Sequence, residues 1–219
     1  MKKIIISILS LFLVLQGNAQ LKSVGLLKDV KPDDDHYEAL KNLVELYGVL
    51  GLEEARQGNN YLPARPLTHR SFAIVMVTAL DMVEQRLDLL AGKNQEITKD
   101  SLLRLFRKKY FKGYSDSAVK SLSGYAQYKD VNNDDPDYTS VKKLTNYYNL
   151  KLGNTYNTFS PDMLITGKQL SQIFVEYFGV RSVVTNSSAA AVTRAKWAIY
   201  LDALMDRLYD NISGMVGDD

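Results

Sequence analysis

The sequence predicts an all-α fold, a compact helical domain built from two similar three-helix units. Three observations predict it: a segment that occurs twice, apolar residues at helical spacing, and four helix starts at which an apolar residue precedes a threonine. Internal repeats define the structural unit of a chain. The i, i+3, i+4 spacing of apolar residues then indicates helices rather than strands.

The repeated segment reads DVKPDDDHYEALKNLVELY in its first copy and DVNNDDPDYTSVKKLTNYY in its second. Further along, each copy has a proline five residues before a threonine. A constant offset of 101 residues relates the two copies and pairs identical residues, among them Asp29 with Asp130, Tyr37 with Tyr138, Leu43 with Leu144 and Tyr47 with Tyr148.

Residues 1–19 have the pattern of a signal peptide. Lys2 and Lys3 precede an apolar run, Ile4–Leu15, and small residues before position 20 suit cleavage after Ala19. The run is shorter than the roughly 20 residues of a membrane-spanning helix, and an uncleaved anchor is the alternative. We therefore expect an exported protein, periplasmic or associated with the cell envelope or outer membrane, with no transmembrane segment after cleavage.

Composition narrows the class of protein. The chain has no cysteine, which excludes disulfides and the acylated cysteine of a lipoprotein. Its formal net charge of +2 includes two lysines of the signal peptide, so the mature chain is close to neutral. Binding of nucleic acid needs a strong basic field, and no such partner is expected. The densest basic stretch, Arg104–Lys109, is interpreted as a solvated helix face.

The first unit, residues 20–112, contains three predicted helices. The first is Tyr37–Tyr47, the second begins at Thr68 and runs to about Leu90, and the third begins at Thr98. In the second helix the predicted core residues are Phe72, Val75, Met76, Ala79, Val83 and Leu87, and in the third they are Leu102, Leu105, Phe106 and Tyr110.

A connecting segment, residues 113–126, contains a short predicted helix, Ser117–Leu122. Val180–Thr185 is open to two interpretations, a short strand or a loop.

At each long-helix start the threonine hydroxyl can accept a free N–H of the first turn, and the apolar residue before it can act as a hydrophobic staple. The second unit, residues 127–219, repeats the plan with helices at Tyr138–Tyr148, Thr166–Phe178 and Thr193–Tyr209.

These motifs together resemble the S-layer homology (SLH) domain. That family opens with Asp-Val, continues with a helix start of the Tyr-Glu-Ala-Ile type, and reaches a proline five residues before a Thr-Arg-Ala-Glu helix start. The first copy matches in order at Asp29-Val30, Tyr37-Glu38-Ala39-Leu40, Leu62-Pro63 and Leu67-Thr68. The second copy matches at Asp130-Val131, Tyr138, Val141, Phe159-Ser160-Pro161 and Ile165-Thr166, and VTRAKW from Val192 repeats the second helix start.

The resemblance implies a helical, exported module that attaches to cell-wall polysaccharide. In the family, grooves between repeats hold acidic, often pyruvylated, sugars. The family's arginine after the threonine is replaced by His69, Lys99 and Gly167, and only Arg194 keeps it. The tryptophan expected two residues before the repeated Tyr37 and Tyr138 is Asp35 and Pro136, and the turn between the helices is rewritten in both copies.

The candidate glycan-binding residues are Arg194, His69, Asp29 and Asp130. Arg194 can clamp a carboxylate through its planar, bidentate guanidinium. The alternative is an ordinary surface residue in the first turn of a helix, where the helix dipole mildly disfavours a cation.

The aspartate-rich openings of the two copies can be interpreted as calcium ligands or as helix caps. From Asp130 the spacing of oxygen ligands imitates an EF-hand loop. However, the sixth position is Asp135 rather than glycine, and the twelfth is Val141 rather than a carboxylate. Helix capping is the preferred interpretation, and no metal or other cofactor is predicted.

Aromatic residues divide into core and surface candidates. Trp197 is in helical register with Leu201 and Leu204 and is expected in the core. The chain has 14 tyrosines, and tyrosine serves interfaces and sugars alike. The tyrosines outside the helical stripes are candidate interface residues: Tyr61, Tyr114, Tyr125, Tyr128 and Tyr156.

Two functions from different classes remain. With two histidines, His36 and His69, no cysteine and no nucleophile or phosphate-loop motif, the chain is not expected to be an enzyme. The preferred hypothesis is an accessory subunit of an outer-membrane or periplasmic protein complex, because the departures from the family fall where a sugar groove would be lined. The alternative is an anchor that binds peptidoglycan-linked or surface polysaccharide.

Overall fold

The structure, a computed structural model, describes residues 23–49, 52, 59–93, 99–110, 128–152, 158–181, 183–184 and 188–216. Within these residues the fold is helical and has no strand, which confirms the all-α prediction. A 3-10 turn at Val24–Leu26 comes first. The helices are α1 Tyr37–Lys41, α2 His69–Lys93, α3 Lys99–Tyr110, α4 Tyr138–Lys142, α5 Gly167–Phe178 and α6 Arg194–Val216.

Several predictions fall on other parts of the chain. The signal peptide, the helix at Ser117–Leu122 and the boundary between the two units all lie outside the described residues. In the described part, no helix combines the length and the apolar character that crossing a membrane requires.

The repeated segment has the same backbone geometry in both copies. Each of α1 and α4 continues into a π-helical turn, Asn42–Leu46 and Lys143–Tyr147 respectively. The chain then passes through a left-handed residue, Gly48 at φ 70° or Asn149 at φ 53°. These elements keep the sequence offset of 101 residues. The same closing hydrogen bond follows in each copy, from Val49 N to Leu43 O at 2.7 Å and from Leu150 N to Leu144 O at 3.0 Å.

The starts of α2, α5 and α6 meet in a closed ring of backbone hydrogen bonds. Leu67 N donates to Val192 O at 2.7 Å, Val192 N to Ile165 O at 2.8 Å, and Ile165 N to Leu67 O at 2.9 Å. Each of these is the buried apolar residue before a start threonine. Three of the four predicted starts therefore occupy equivalent positions. The fourth, at Thr98, lies outside the described residues.

A turn from elsewhere in the chain also caps each of these helices. The first N–H groups of a helix have no partner within it, and here the first two donate to backbone carbonyls of another segment. The turn after Tyr61 caps α6, the turn after Phe159 caps α2, and residues 188–190 cap α5. The pairs are His69 to Met163 and Arg70 to Pro161, Gly167 to Ala190 and Lys168 to Ser188, and Arg194 to Arg65 and Ala195 to Pro63.

The threonine caps are confirmed at the three described starts. Thr166 forms a full capping box, accepting from Gln169 N while the Gln169 side chain accepts from Thr166 N. The hydroxyls of Thr68 and Thr193 accept from the backbone N–H three residues later, at 3.2 Å and 3.4 Å. Each hydroxyl satisfies one amide that the helix cannot.

The core follows the predicted stripes with one exception. All six predicted residues of α2 are buried, and so is Trp197, whose ring lies 5.0 Å from that of Phe72. On α3, Leu102 and Phe106 are buried, but Leu105 is 56% exposed, so its prediction as a core residue is wrong. The side chain of Tyr110, the fourth residue predicted for this stripe, lies outside the described part of the structure. Because α3 packs against α2, the side of α3 that carries Leu102 and Phe106 is covered, whereas the side that carries Leu105 is not.

One helix boundary differs from the sequence interpretation, and one segment that the sequence left open can now be described. The last helix, α6, ends at Val216 rather than at Tyr209, because Ile212 continues its buried stripe by one more turn. The described residues of Val180–Thr185 have no regular structure, which favours the loop interpretation.

Candidate binding grooves

Asp29 and Asp130 brace the loop that follows each repeated segment. The two carboxylate oxygens of Asp29 accept from the backbone N–H groups of Tyr61 and Leu62, both at 2.7 Å. The same contacts join Asp130 to the N–H groups of Phe159 and Ser160, at 2.8 Å and 2.6 Å. Leu62 and Ser160 each have a left-handed φ of 56°, which costs energy outside glycine. Both aspartates therefore stabilise a strained turn, and their glycan-binding role stays a prediction.

Arg194 is buried and satisfied by the protein itself. Its side chain is only 4% exposed. Its Nε donates to Tyr61 O at 2.6 Å and its Nη2 to Leu52 O, while the guanidinium lies 4.9 Å from the centre of the Tyr61 ring. The interpretation of Arg194 as a surface cation is wrong. Irregular backbone at this point presents carbonyls that need donors when buried, and the arginine supplies them.

Tyr61 is part of the same cluster rather than of the surface. Its ring is 1% exposed, and its hydroxyl donates to Arg194 O. Its prediction as an interface residue is therefore wrong. We call the space filled by Arg194 between Leu52 and Tyr61 the Arg194 groove.

His69 occupies the corresponding position at the start of α2. Its Nδ1 lies 2.8 Å from Phe159 O, as Arg194 Nε contacts the carbonyl of Tyr61. Phe159 and Tyr61 correspond because each is the aromatic residue braced by the aspartate of its copy. The imidazole is completely buried, and its Nε2 has no hydrogen-bond partner among the described residues.

Burial keeps the imidazole neutral. Desolvation lowers the pKa of His69 below its usual value, and the bond to the Phe159 carbonyl opposes this only in part. A carbonyl oxygen only accepts hydrogen bonds, so the proton must be on Nδ1. The remaining nitrogen, Nε2, is then a lone-pair acceptor.

A partly open cavity of about 260 Å³ lies beside this histidine. Leu152 forms part of its wall together with Ile165 and Ile173. We call it the His69 groove, and its polar lining comes from His69, Lys151, Gln169, Gln172, Glu176 and Tyr177. The third equivalent position, at the start of α5, is Gly167 and contributes no side chain.

A tyrosine–aspartate contact recurs in the two copies and was not predicted from the sequence. The Tyr47 hydroxyl donates to Asp206 on α6, and the Tyr148 hydroxyl donates to Asp81 on α2 at 2.6 Å. Burial and the nearby carboxylates raise the pKa of both tyrosines. A signal was present: the tyrosines are 101 residues apart, and each aspartate lies 13 residues after a start threonine, Thr68 or Thr193.

The basic stretch of α3 is partly buried by a second polar cluster. Arg107 is buried, pairs with Glu84 and lies 4.2 Å from the ring centre of Tyr147. The interpretation of the whole stretch as a solvated face is therefore wrong at Arg107. The Tyr147 hydroxyl donates to the other oxygen of Glu84 at 2.9 Å. Burial and Glu84 raise the pKa of Tyr147 to about 12.

The aspartate-rich openings form turns before the helices. Asp34 accepts from Lys31 N at 2.8 Å, and Asp135 accepts from Asn132 N at 2.7 Å. The residues at the cap positions of α1 and α4, His36 and Asp137, make no capping bond with their side chains, so helix capping is wrong there. Among the described residues, no group of three acidic, histidine or cysteine side chains is arranged to hold a metal ion.

Of the other candidate interface residues, only Tyr128 is described. It is half-buried, with its hydroxyl 3.3 Å from that of Thr145 and its ring 5.5 Å from that of Phe159. Tyr114, Tyr125 and Tyr156 lie outside the described residues.

Comparison with known proteins adds no family to this geometry. No protein-family model, no curated protein and no solved structure matches the chain. The SLH resemblance therefore stays a prediction that rests on the motifs.

Proposed function

We propose that this chain is a non-enzymatic, exported cell-envelope protein that acts as an accessory subunit of an outer-membrane or periplasmic protein complex. The signal-peptide pattern of residues 1–19 supports export. The motifs support an SLH-like scaffold of two tandem units, residues 20–112 and 127–219. The ring of helix starts favours a modified form of that scaffold, in which α6 begins a third, shortened unit and α3 is an addition to the first.

The observation that supports protein binding is that Arg194 is buried and donates its hydrogen bonds within the protein. A clamp for an acidic sugar needs a guanidinium that faces the ligand. Here two guanidinium nitrogens donate to backbone carbonyls, and the side chain is almost fully buried. The position that would recognise an acidic glycan thus stabilises the fold, and this weighs toward a protein partner.

The pair formed by α2 and α3 offers a surface for such a partner. Among the side chains of this pair that the structure describes, Leu89 on α2 and Leu105 on α3 are the large apolar ones that are exposed. Exposed Arg104 and Lys108 lie in the same two turns of α3 as Leu105. Apolar anchors beside cationic groups are typical of contacts between proteins.

Affinity capture from detergent-solubilised envelope tests this proposal. The mature chain and its Leu105→Glu variant serve as baits, and Leu46→Glu, another exposed leucine on the turn after α1, is the matched control. We expect one envelope protein to be enriched by the wild type and by Leu46→Glu but not by Leu105→Glu. Capture no stronger than that by an unrelated exported protein would contradict the proposal.

The second candidate function is an anchor for peptidoglycan-linked or surface polysaccharide. The observation that favours it is the His69 groove, a partly open cavity of about 260 Å³ whose described lining is mainly polar. Sedimentation of the mature chain with purified sacculi tests it. Recovery of the protein in the supernatant at all sacculus concentrations would exclude it.

A further inference from the structure

We infer that two copies of this chain associate as a symmetric dimer through the face of the helix-start ring. This face consists of the residues that precede the three buried ring positions, 64–66, 162–164 and 189–191, and we call it the ring face. It is distinct from the α2–α3 surface, since Leu89 lies 20 residues after the first residue of α2, roughly 30 Å along the helix. The inference therefore goes beyond the proposed function and does not depend on it.

The three turns of the ring face form one continuous surface. Isolated antiparallel bridges join the last residue of each turn, Pro66, Leu164 or Ala191, to the start threonine of another helix. Because the backbone at such a bridge is extended, successive side chains point to opposite sides. The ring residue that follows each of the three is buried, so their own side chains point outward around the ring.

The ring face is mostly apolar although it is exposed. Of its nine residues, Ala191 is half-buried and the others are exposed. Arg65 and Asp162 are charged, and the other seven are alanine, proline, methionine or leucine. Met163 and Leu164, which are adjacent in the chain, are 38% and 42% exposed. A contiguous apolar patch on a protein surface marks a site of contact, whereas single exposed leucines are ordinary.

The two charges of the ring face select a second copy of the chain as its partner. Arg65 and Asp162 lie on different turns, so a two-fold axis midway between them brings Arg65 of one copy to Asp162 of the other, and does so twice. The Asp162 side chain is 92% exposed and 3.9 Å from Arg70 Nε, which leaves room for a second cation. An unrelated partner would have to supply both charges at the same spacing, and an anionic membrane would repel Asp162.

The size of the ring face sets the strength of the dimer. Stable interfaces involve roughly 20–30 residues on each side, and the ring face has nine. We therefore expect a reversible dimer with a dissociation constant of roughly 10–100 μM.

Sedimentation velocity of the mature chain, from about 1 μM to about 1 mM, tests the inference. Leu164→Glu places a charge in the apolar centre and should weaken the dimer at least tenfold, roughly the loss expected at a central contact. Leu46→Glu makes the same change at an exposed leucine outside the ring face and should leave the dimer unchanged.

Charge reversal tests the pairing of the two copies. Arg65→Glu and Asp162→Arg each bring like charges together across the two-fold axis, and each should weaken the dimer by about tenfold. An equimolar mixture of the two variants restores opposite charges at both contacts. It should associate within about threefold of the wild-type affinity, which a charge contact inside one copy would not produce.

A wild type that stays monomeric up to about 1 mM would overturn the inference. An unchanged dimer in Leu164→Glu, or a mixture no tighter than the single variants, would do the same. If the wild type is monomeric and Leu164→Glu loses capture of an envelope protein, the ring face belongs to that protein instead. If circular dichroism shows that Leu164→Glu does not fold, Ala189→Glu on the third turn replaces it, with the same expected loss.

Discussion

The Arg194 groove and the His69 groove occupy equivalent positions but have opposite chemistry. In each, the first residue of a long helix contacts the carbonyl of an aromatic residue in a loop distant in sequence, Tyr61 or Phe159. Arg194 is long enough to reach a second carbonyl, that of Leu52, and fills its groove. His69 stops at the first carbonyl and leaves a cavity of about 260 Å³. The longer side chain thus reaches two carbonyls at its position, whereas a cavity lies beside the shorter one.

The largest expected effects test whether the two copies are equivalent in the core. Leu43 and Leu144 are both fully buried at corresponding positions. Leu43→Ala and Leu144→Ala should each lower the free energy of unfolding by about 2–5 kcal/mol, through lost burial and a residual cavity. Chemical denaturation measures both, and the exposed Leu46→Ala is the control. A large loss for only one leucine would break the equivalence on which the comparison of the grooves depends.

The next largest expected effect is the loss of stability when Arg194, which fills the Arg194 groove, is replaced. Arg194→Met removes two bonds to backbone carbonyls that stay buried, and should cost about 2–4 kcal/mol. Lys196→Met changes an exposed cation in the same helical turn and should change stability by less than about 0.5 kcal/mol. Denaturation curves of the two variants give the difference. Equal losses would mean that the guanidinium faces solvent and that the groove is open.

The two bracing aspartates should have intermediate and similar effects. Asp29→Ala and Asp130→Ala each remove a carboxylate that accepts two backbone N–H groups next to a left-handed residue. Each should cost about 1–3 kcal/mol. Thermal or chemical unfolding measures this. An unaffected Asp130→Ala variant would show that the loop of the His69 groove is held by other contacts.

The smallest expected effect is a pH dependence of stability near the Tyr47–Asp206 contact that the Tyr148–Asp81 contact should lack. On α6 a second carboxylate, Asp202, lies near Asp206, whereas on α2 Lys143 pairs with Asp81 at 2.7 Å. Burial raises the pKa of Asp202 to about 6, the Asn42 amide opposes the shift, and Asp206 adds to it. The native state therefore holds this proton more tightly than the unfolded chain, and stability from this group is lost as pH rises from about 4 through about 6.

Comparison of the wild type with Asp202→Asn measures that contribution. Because the carboxyl is only half-buried, solvent screening limits the effect to about 1 kcal/mol. The free energy of unfolding of the wild type should fall relative to that of Asp202→Asn between about pH 4 and pH 7. Parallel pH profiles would show that the α6 contact carries no excess negative charge.

The fold was predictable from the sequence wherever the determining contacts lie within a single helix. The helical stripes and the starts at Thr68, Thr166 and Thr193 follow from local periodicity and capping, and the structure confirms them. Leu105 was misassigned because periodicity does not say how much of a helix face a neighbour covers. The π-helical turns are also invisible to periodicity, although the repeat itself places them 101 residues apart.

The grooves were not predictable in the same way. Sequence identifies Arg194 and His69 as alternatives at one position, but not which atoms face them. The partners of Arg194, Leu52 and Tyr61, are more than 130 residues away, so burial of its charge depends on tertiary contacts. The buried state of Tyr61 was missed for the same reason, since its hydroxyl bonds to Arg194 O rather than to any residue near it in the chain.

The protonation of the His69 imidazole distinguishes the chemistry of the His69 groove from that of the Arg194 groove. Long-range ¹H–¹⁵N spectra of the ¹⁵N-labelled mature chain distinguish the two ring nitrogens, and the resonances lost in His69→Asn separate His69 from His36. We expect a neutral ring at pH 7, with the proton on Nδ1 and an unprotonated Nε2. A proton on Nε2, or an imidazolium at pH 7, would contradict the neutral, desolvated ring that distinguishes His69 from the charged Arg194.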